Sequence, residues 1–188
     1  FLSLRMFISL LLLALSPSLA ITGDSLAHPS DRLWRGVQAP LRLGRDEAPP
    51  MDFVKPDGTQ NYIAYLIDYQ RYDTHFDAFG HAIFIDNVLT AHFVGAHNEP
   101  IVLTTGFRIL LGDPLDQFEW KVVGTTEGFG FTDDKKIAKF TDHEGVITYG
   151  TAYPKQHTFS GLAADGHVVN IDSRSYSQKV RLLEHTYQ

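Results

Sequence analysis

Short apolar runs, separated by turn residues at intervals of about ten, constrain the fold of this chain more than any other feature. From Asn61 onward these runs are rich in β-branched and aromatic residues, and Gly, Asp and Asn lie between them. This pattern predicts β-strands, and no segment has the apolar spacing of an amphipathic helix. The chain is therefore expected to be all-β, as a single antiparallel barrel of about eight strands, with a sandwich as the alternative.

Within several runs the apolar side chains alternate, as in strands that bury one face. Phe79, His81 and Ile83 share one face of their run, and Phe118 and Trp120 share a face of another. Strands are expected at residues 62–69, 79–85, 88–95, 101–111 (bent or broken at Gly106), 118–125, 128–131, 135–140, 146–153, 157–162, 167–171 and 179–185.

The first twenty residues resemble a secretory signal peptide. Arg5 precedes an apolar run at residues 6–15, and Ser18-Leu-Ala20 has the small-x-small form of a cleavage site. The run is shorter than the roughly 20 residues that span a bilayer. A buried N-terminal helix is the alternative, but the run lacks a polar face. We expect residues 1–20 to be cleaved and the protein to be secreted, with no membrane contact afterwards.

Residues 21–58 form a second segment, with five prolines and no sustained period. This composition predicts an extended, partly disordered leader, although Trp34 would also suit a segment that clasps the domain surface. The β-domain is then expected to cover residues 59–188, and this length suits one domain rather than two.

Composition excludes several functions. The chain has no cysteine, which rules out disulfides, thiolate metal sites and thiol catalysis. The formal net charge is −6, which argues against nucleic acid as a partner.

Nine histidines raise the question of a metal site. His92, His97 and Glu99 lie close together in the sequence, and His81 is on the preceding predicted strand. Imidazole and carboxylate groups would suit zinc, copper or iron. The spacing fits no closed metal motif, however, so hydrogen-bonded or surface histidines are expected instead of a metal site.

Two aspartates are candidates for acid chemistry. Asp68 follows an apolar and aromatic run, and two-residue periodicity places it on the face of Tyr62 and Leu66. An apolar face would favour the protonated carboxyl, which could act as a general acid. The alternative is that the strand ends at Ile67 and Asp68 starts a turn. Asp113 precedes a proline at a predicted strand end, where a turn role is also expected.

Three landmarks occur in a characteristic order. A strand at residues 65–68 ends in aspartate, residues 106–115 read Gly-Phe-Arg-Ile-Leu-Leu-Gly-Asp-Pro-Leu, and residues 123–129 read Val-Gly-Thr-Thr-Glu-Gly-Phe. This arrangement resembles that of plant dirigent proteins, which are related to allene oxide cyclases.

The resemblance implies an eight-stranded barrel, often trimeric, with an apolar cavity. The protein would then bind a small phenolic or lipid-derived molecule and direct its stereoselective coupling or cyclisation, without a cofactor. The resemblance makes Asp68 the acid in the cavity and places Asp113 near its mouth. The aromatic walls of the cavity would be Tyr62, Tyr65, Phe107, Trp120 and Phe129.

A second hypothesis comes from a different class of protein. A secreted sandwich without catalytic activity would bind carbohydrate or a partner protein through exposed aromatic residues. Tyr149 and Tyr153 lie on one face of their predicted strand and are candidates for this role.

Overall fold

Antiparallel strands make up most of the described chain, which confirms the all-β prediction. The computed structural model describes residues 33–39, 49, 53–55, 58–71, 73–111, 116–130 and 134–187. The predicted signal peptide and much of the predicted leader lie outside these residues. The elements are β1 (Trp34–Val37), β2 (Tyr62–Arg71), β3 (Thr74–Ile85), β4 (Val88–Val94), β5 (Pro100–Leu103), β6 (Phe107–Leu110), β7 (Asp116–Val122), β8 (Lys136–Thr141), β9 (Ile147–Tyr153), β10 (Thr158–Leu162), β11 (Val168–Ile171), α1 (Ser173–Lys179) and β12 (Val180–Tyr187).

The strands form two six-stranded sheets, and all of their pairings are antiparallel. Sheet I has the order β1-β6-β2-β3-β4-β5, and sheet II has the order β11-β10-β9-β8-β12-β7. The expected single barrel of about eight strands is therefore not what the described residues form. Their arrangement is like the alternative, a sandwich.

Two elements were not expected from the sequence, and the strand expected at residues 128–131 is not formed by residues 128–130. Trp34–Val37, within the segment predicted as a leader, pairs as β1 with β6. Residues 173–179 form a short helix, which begins after Asp172; this side chain accepts hydrogen bonds from the N–H groups of Arg174 and Ser175. Such N-terminal capping stabilises a helix that is too short for an amphipathic period to be visible.

The described residues form three apolar cores, of which the second lies between the two sheets. The first lies on one face of sheet I, where Phe93 of β4 and Phe107 of β6 have ring centroids 6.3 Å apart. Because two strands separate β4 from β6 in the sheet, sheet I must curl around this core. The third core lies between sheet II and α1, where Tyr176 joins Phe159.

The second core joins the two sheets. Tyr65 and Phe79 of sheet I pack in it with Tyr149 and Leu183 of sheet II. At its side, β3 meets β9: the Phe79 N–H donates to Thr151 Oγ1 over 2.8 Å, and this hydroxyl donates back to Phe79 O over 3.3 Å. Burial of a large apolar side chain contributes about 1.5–3 kcal/mol, so this core is the main attachment between the sheets.

Within the described ranges, no helix has the length and apolar character needed to cross a membrane.

Candidate functional site

Asp68 lies on the surface of the protein. The pairing of β2 with β3 shifts between Leu66 and Tyr69, and Asp68 has a φ of 47°. This bulge breaks the alternation that would have placed Asp68 beside Leu66. Its side chain is 76% exposed, with Oδ1 2.8 Å from His75 Nδ1. The expected position of Asp68 on an apolar face is thus corrected. Asp113 lies outside the described residues.

The aromatic residues expected to line one cavity divide between two cores. Tyr62 and Phe107 belong to the first core, whereas Tyr65, Trp120 and Phe129 belong to the second or pack against it. Tyr62 and Tyr65 are three positions apart on β2, so they point to opposite faces of sheet I. These five side chains therefore do not surround a common ligand space.

Two of the histidines that were considered as metal ligands lie next to each other in the interior of the protein. His81 of β3 and His92 of β4 are register partners, and their rings stack with centroids 4.9 Å apart. His97 is exposed, and its backbone N–H donates to Glu99 Oε2 over 2.9 Å. The described residues include no group of three or more His, Cys, Asp or Glu side chains that could hold a metal ion.

Burial keeps the imidazoles of this histidine pair neutral. Desolvation lowers the pKa of His81 to about 3, with further contributions from His92 and Lys55. Burial also lowers the pKa of His92. In the described part of the chain, His81 Nδ1 and both ring nitrogens of His92 are buried without a hydrogen-bond partner. Each such atom costs about 1–3 kcal/mol, so the pair is a point of low local stability.

An open pocket of about 400 Å³ lies where the two sheets meet. The turn after β4 forms one wall, and β9, β10 and β11 form the other. We call it the inter-sheet pocket. Its lining consists of Gly95, Ala96, Asn98, Tyr153, Thr158, Phe159, Ser160, Asn170, Ile171 and Asp172.

The inter-sheet pocket is rich in neutral hydrogen-bonding groups. Asn170 Nδ2 donates to Asn98 Oδ1 over 2.8 Å and so links the two walls. Ser160 Oγ is buried, and no hydrogen-bond partner for it is found among the described residues. Burial raises the pKa of Tyr153, so its hydroxyl stays neutral at physiological pH. These groups can bind a polar, uncharged ligand through donors and acceptors together.

A second, smaller pocket of about 290 Å³ contains a histidine held by a carboxylate. Its lining is Thr126, Glu127, Gly128, Phe129, Glu184 and His185. His185 Nε2 lies 2.6 Å from Oδ1 of the fully buried Asp116 side chain, and Phe118 and Phe129 contact the ring on its faces. A carboxylate in this position fixes the orientation of an imidazole, as in proton-transfer sites.

The sequence pointed to one residue of the inter-sheet pocket. Tyr149 and Tyr153 share a face of β9, as expected, but Tyr149 packs in the second core, whereas Tyr153 is half-buried at the pocket. The sequence did not single out Asn98, Ser160 or Asn170. These residues lie near one another only because the two sheets pack together. Of the features that build this pocket, the local sequence indicated only the turn that follows β4.

The fold and the pocket define a two-sheet antiparallel β-sandwich with a polar pocket at the sheet junction. No protein-family model matches the chain, and no curated protein matches it. The fold is similar to that in the crystal structure of the nematode sperm cell motility protein MFP2B, with a TM-score of 0.57 and 13% identity. The likeness covers 82% of this chain and 44% of that one, so this chain spans less than half the length of that protein.

Proposed function

We propose that this chain is a non-enzymatic binding module whose inter-sheet pocket takes a neutral, polyhydroxylated ligand of the carbohydrate class. The observation that carries the proposal is the lining of the pocket, in which amides, hydroxyls and one tyrosine converge from both sheets. The pocket volume of about 400 Å³ lies in the usual range for small-molecule sites.

Each group has a chemical use toward such a ligand. Asn98 offers its amide donor and Asn170 its carbonyl acceptor, since Asn170 Nδ2 and Asn98 Oδ1 are already bonded to each other. The ring of Tyr153 supplies an apolar surface with a polar end, which suits the mixed character of a sugar. Export through the predicted signal peptide remains part of the proposal and would expose the module to extracellular glycans.

The dirigent-like hypothesis needs a different site, an apolar cavity with an acid inside it. With Asp68 at the surface and the predicted aromatic residues in two cores, the polar pocket has more geometric support. Titration with phenolics and fatty-acid derivatives tests that hypothesis directly. Binding of either class that is lost in Asp68→Asn would favour it.

The main test is a glycan array, followed by calorimetric titration with the best-bound oligosaccharide. Tyr153→Ala and Asn170→Ala should each weaken binding by about 5- to 13-fold, since each removes a ligand contact worth about 1–1.5 kcal/mol. Gln117→Ala is the matched control for Asn170→Ala, because Gln117 is an exposed amide on the opposite edge of sheet II. The control should bind as the wild type does.

Two results would refute the proposal. The first is that no array glycan binds at millimolar concentration. The second is that a glycan binds equally to wild type, Tyr153→Ala and Asn170→Ala, which would place its site elsewhere.

A further inference from the structure

The histidine pair lies beside the attachment between the sheets. His81 faces Tyr149 of β9, with ring centroids 6.4 Å apart. Two residues away on β3, Phe79 exchanges hydrogen bonds with Thr151 of the same strand β9. A change at the pair therefore acts directly on the contact of β9 with β3.

The same strands lead from the pair to the inter-sheet pocket. On β4, His92 is followed three positions later by Gly95, the first pocket residue. On β9, the face that contacts His81 through Tyr149 continues through Thr151 to Tyr153, which lines the opposite wall. Each wall of the pocket thus includes a residue that continues a strand that carries the pair or contacts it: Gly95 directly after β4, and Tyr153 at the end of β9.

Among the described residues around the pair, the groups that face it provide no compensation for a positive charge. On β2 the register partner of His81 is the apolar Ile63, and on β9 burial raises the pKa of Tyr149 to about 12, so this hydroxyl stays neutral. The charged group that acts on His81 besides its partner His92 is Lys55, and it is a cation. On β5 the register partner of His92 is Val102. A proton on either imidazole would therefore be both desolvated and repelled.

We propose that the histidine pair is an acid-sensitive latch: protonation of either imidazole separates β9 from β3 and β4 and opens the inter-sheet pocket. Near neutral pH the two walls of the pocket are held together and can bind a ligand, and in acid the walls separate. The release of a ligand in acid rests on the proposed function, whereas the opening itself does not.

The test is hydrogen exchange of the full chain, without ligand, at pH 7.5 and pH 5.0, expressed as protection factors so that the intrinsic effect of pH cancels. Peptides that cover residues 88–98 and 147–160 should lose protection by about 30-fold. This is the ratio expected when opening exposes one imidazole, which then takes up a proton with its ordinary pKa of about 6.5. Peptides from β7 and from the part of β12 that pairs with it should stay better protected than these at both pH values, because they exchange only when the whole fold unfolds.

The double variant His81→Phe and His92→Phe should retain protection at pH 5.0, since it keeps two stacked rings that cannot be protonated. The control is His143→Phe, because the His143 side chain is 90% exposed. It should open in acid as the wild type does. Unchanged protection in the wild type would overturn the latch, and so would equal protection of all peptides at pH 5.0 or equal opening in the double variant.

A second measurement covers the case in which the double variant does not fold. Nitrogen NMR of ¹⁵N-histidine-labelled wild type should show the His81 imidazole neutral in the closed state at pH 5.0. A protonated His81 in the closed, protected protein would overturn the latch. Because neither experiment uses a ligand, failure to bind glycans would refute the proposed function and leave the latch intact.

Discussion

Lowering the pH from 7.5 to 5.0 should destabilise the whole fold through His81. Burial holds the pKa of His81 at about 3 in the folded protein, against 6.5 for the ordinary side chain. Between these values the unfolded chain binds the proton and the folded one does not, so the free energy of unfolding falls as the pH falls. The full stability is present above about pH 6.5 and is lost progressively toward pH 3.

The size of the effect follows from the two pKa values. Integrating the difference in bound protons from pH 7.5 to pH 5.0 gives a loss of about 2 kcal/mol from His81 alone. This is a large fraction of the stability of a typical domain, about 5–15 kcal/mol. His92, whose pKa is also lowered, acts in the same direction.

Urea unfolding, followed by tryptophan fluorescence, measures this loss at each pH. The comparison that isolates His81 is wild type against His81→Phe. The variant should be at least as stable as wild type at pH 7.5, because an apolar ring replaces a buried imidazole with an unpaired nitrogen. It should also lose about 2 kcal/mol less on acidification. An equal loss in His81→Phe and wild type would refute the reasoning, and the exposed His143→Phe serves as the control.

Three further changes test the packing. Gly150→Ala should lower the free energy of unfolding by about 1–3 kcal/mol or more, because its Cβ would clash with the backbone oxygen of Ser160. Wild-type stability in urea unfolding would contradict this close approach. Phe159→Ala should lower the free energy of unfolding by about 3–5 kcal/mol, since Phe159 is buried in the third core. A thermal midpoint within a degree of wild type would contradict the packing of Phe159 in this core. Asp116→Ala should cost about 1–3 kcal/mol by removing the partner of the His185 imidazole, and His185→Phe in the same background should recover part of the loss.

Most strand positions could be predicted from the sequence because a strand that buries one face has a local two-residue period. The run at residues 88–95 became β4 (Val88–Val94), and the predicted break at Gly106 separates β5 from β6. Tyr62 and Tyr65 were expected in one cavity wall, although their spacing of three puts them on opposite faces of a strand and the structure places them in different cores. Residues 173–179 were missed because two helical turns with one buried side chain carry no visible period.

The candidate site was less predictable, and Asp68 shows why. Regular alternation placed it on an apolar face, but a bulge, which depends on how β2 pairs with β3, turned its side chain to solvent. In the same way, His81 and His92 were placed on consecutive predicted strands, yet the sequence did not reveal that they are register partners, buried and stacked.

The sequence by itself determined that the chain forms short antiparallel strands without cysteine chemistry, because strand periodicity and residue inventory are local properties. Only the tertiary structure decided that the strands divide between two sheets and do not close into one barrel. It also brought Asn98 and Asn170, which are far apart in the chain, within 2.8 Å of each other. Closure and sheet packing depend on contacts between distant residues, and no local pattern encodes which distant face an apolar face will meet.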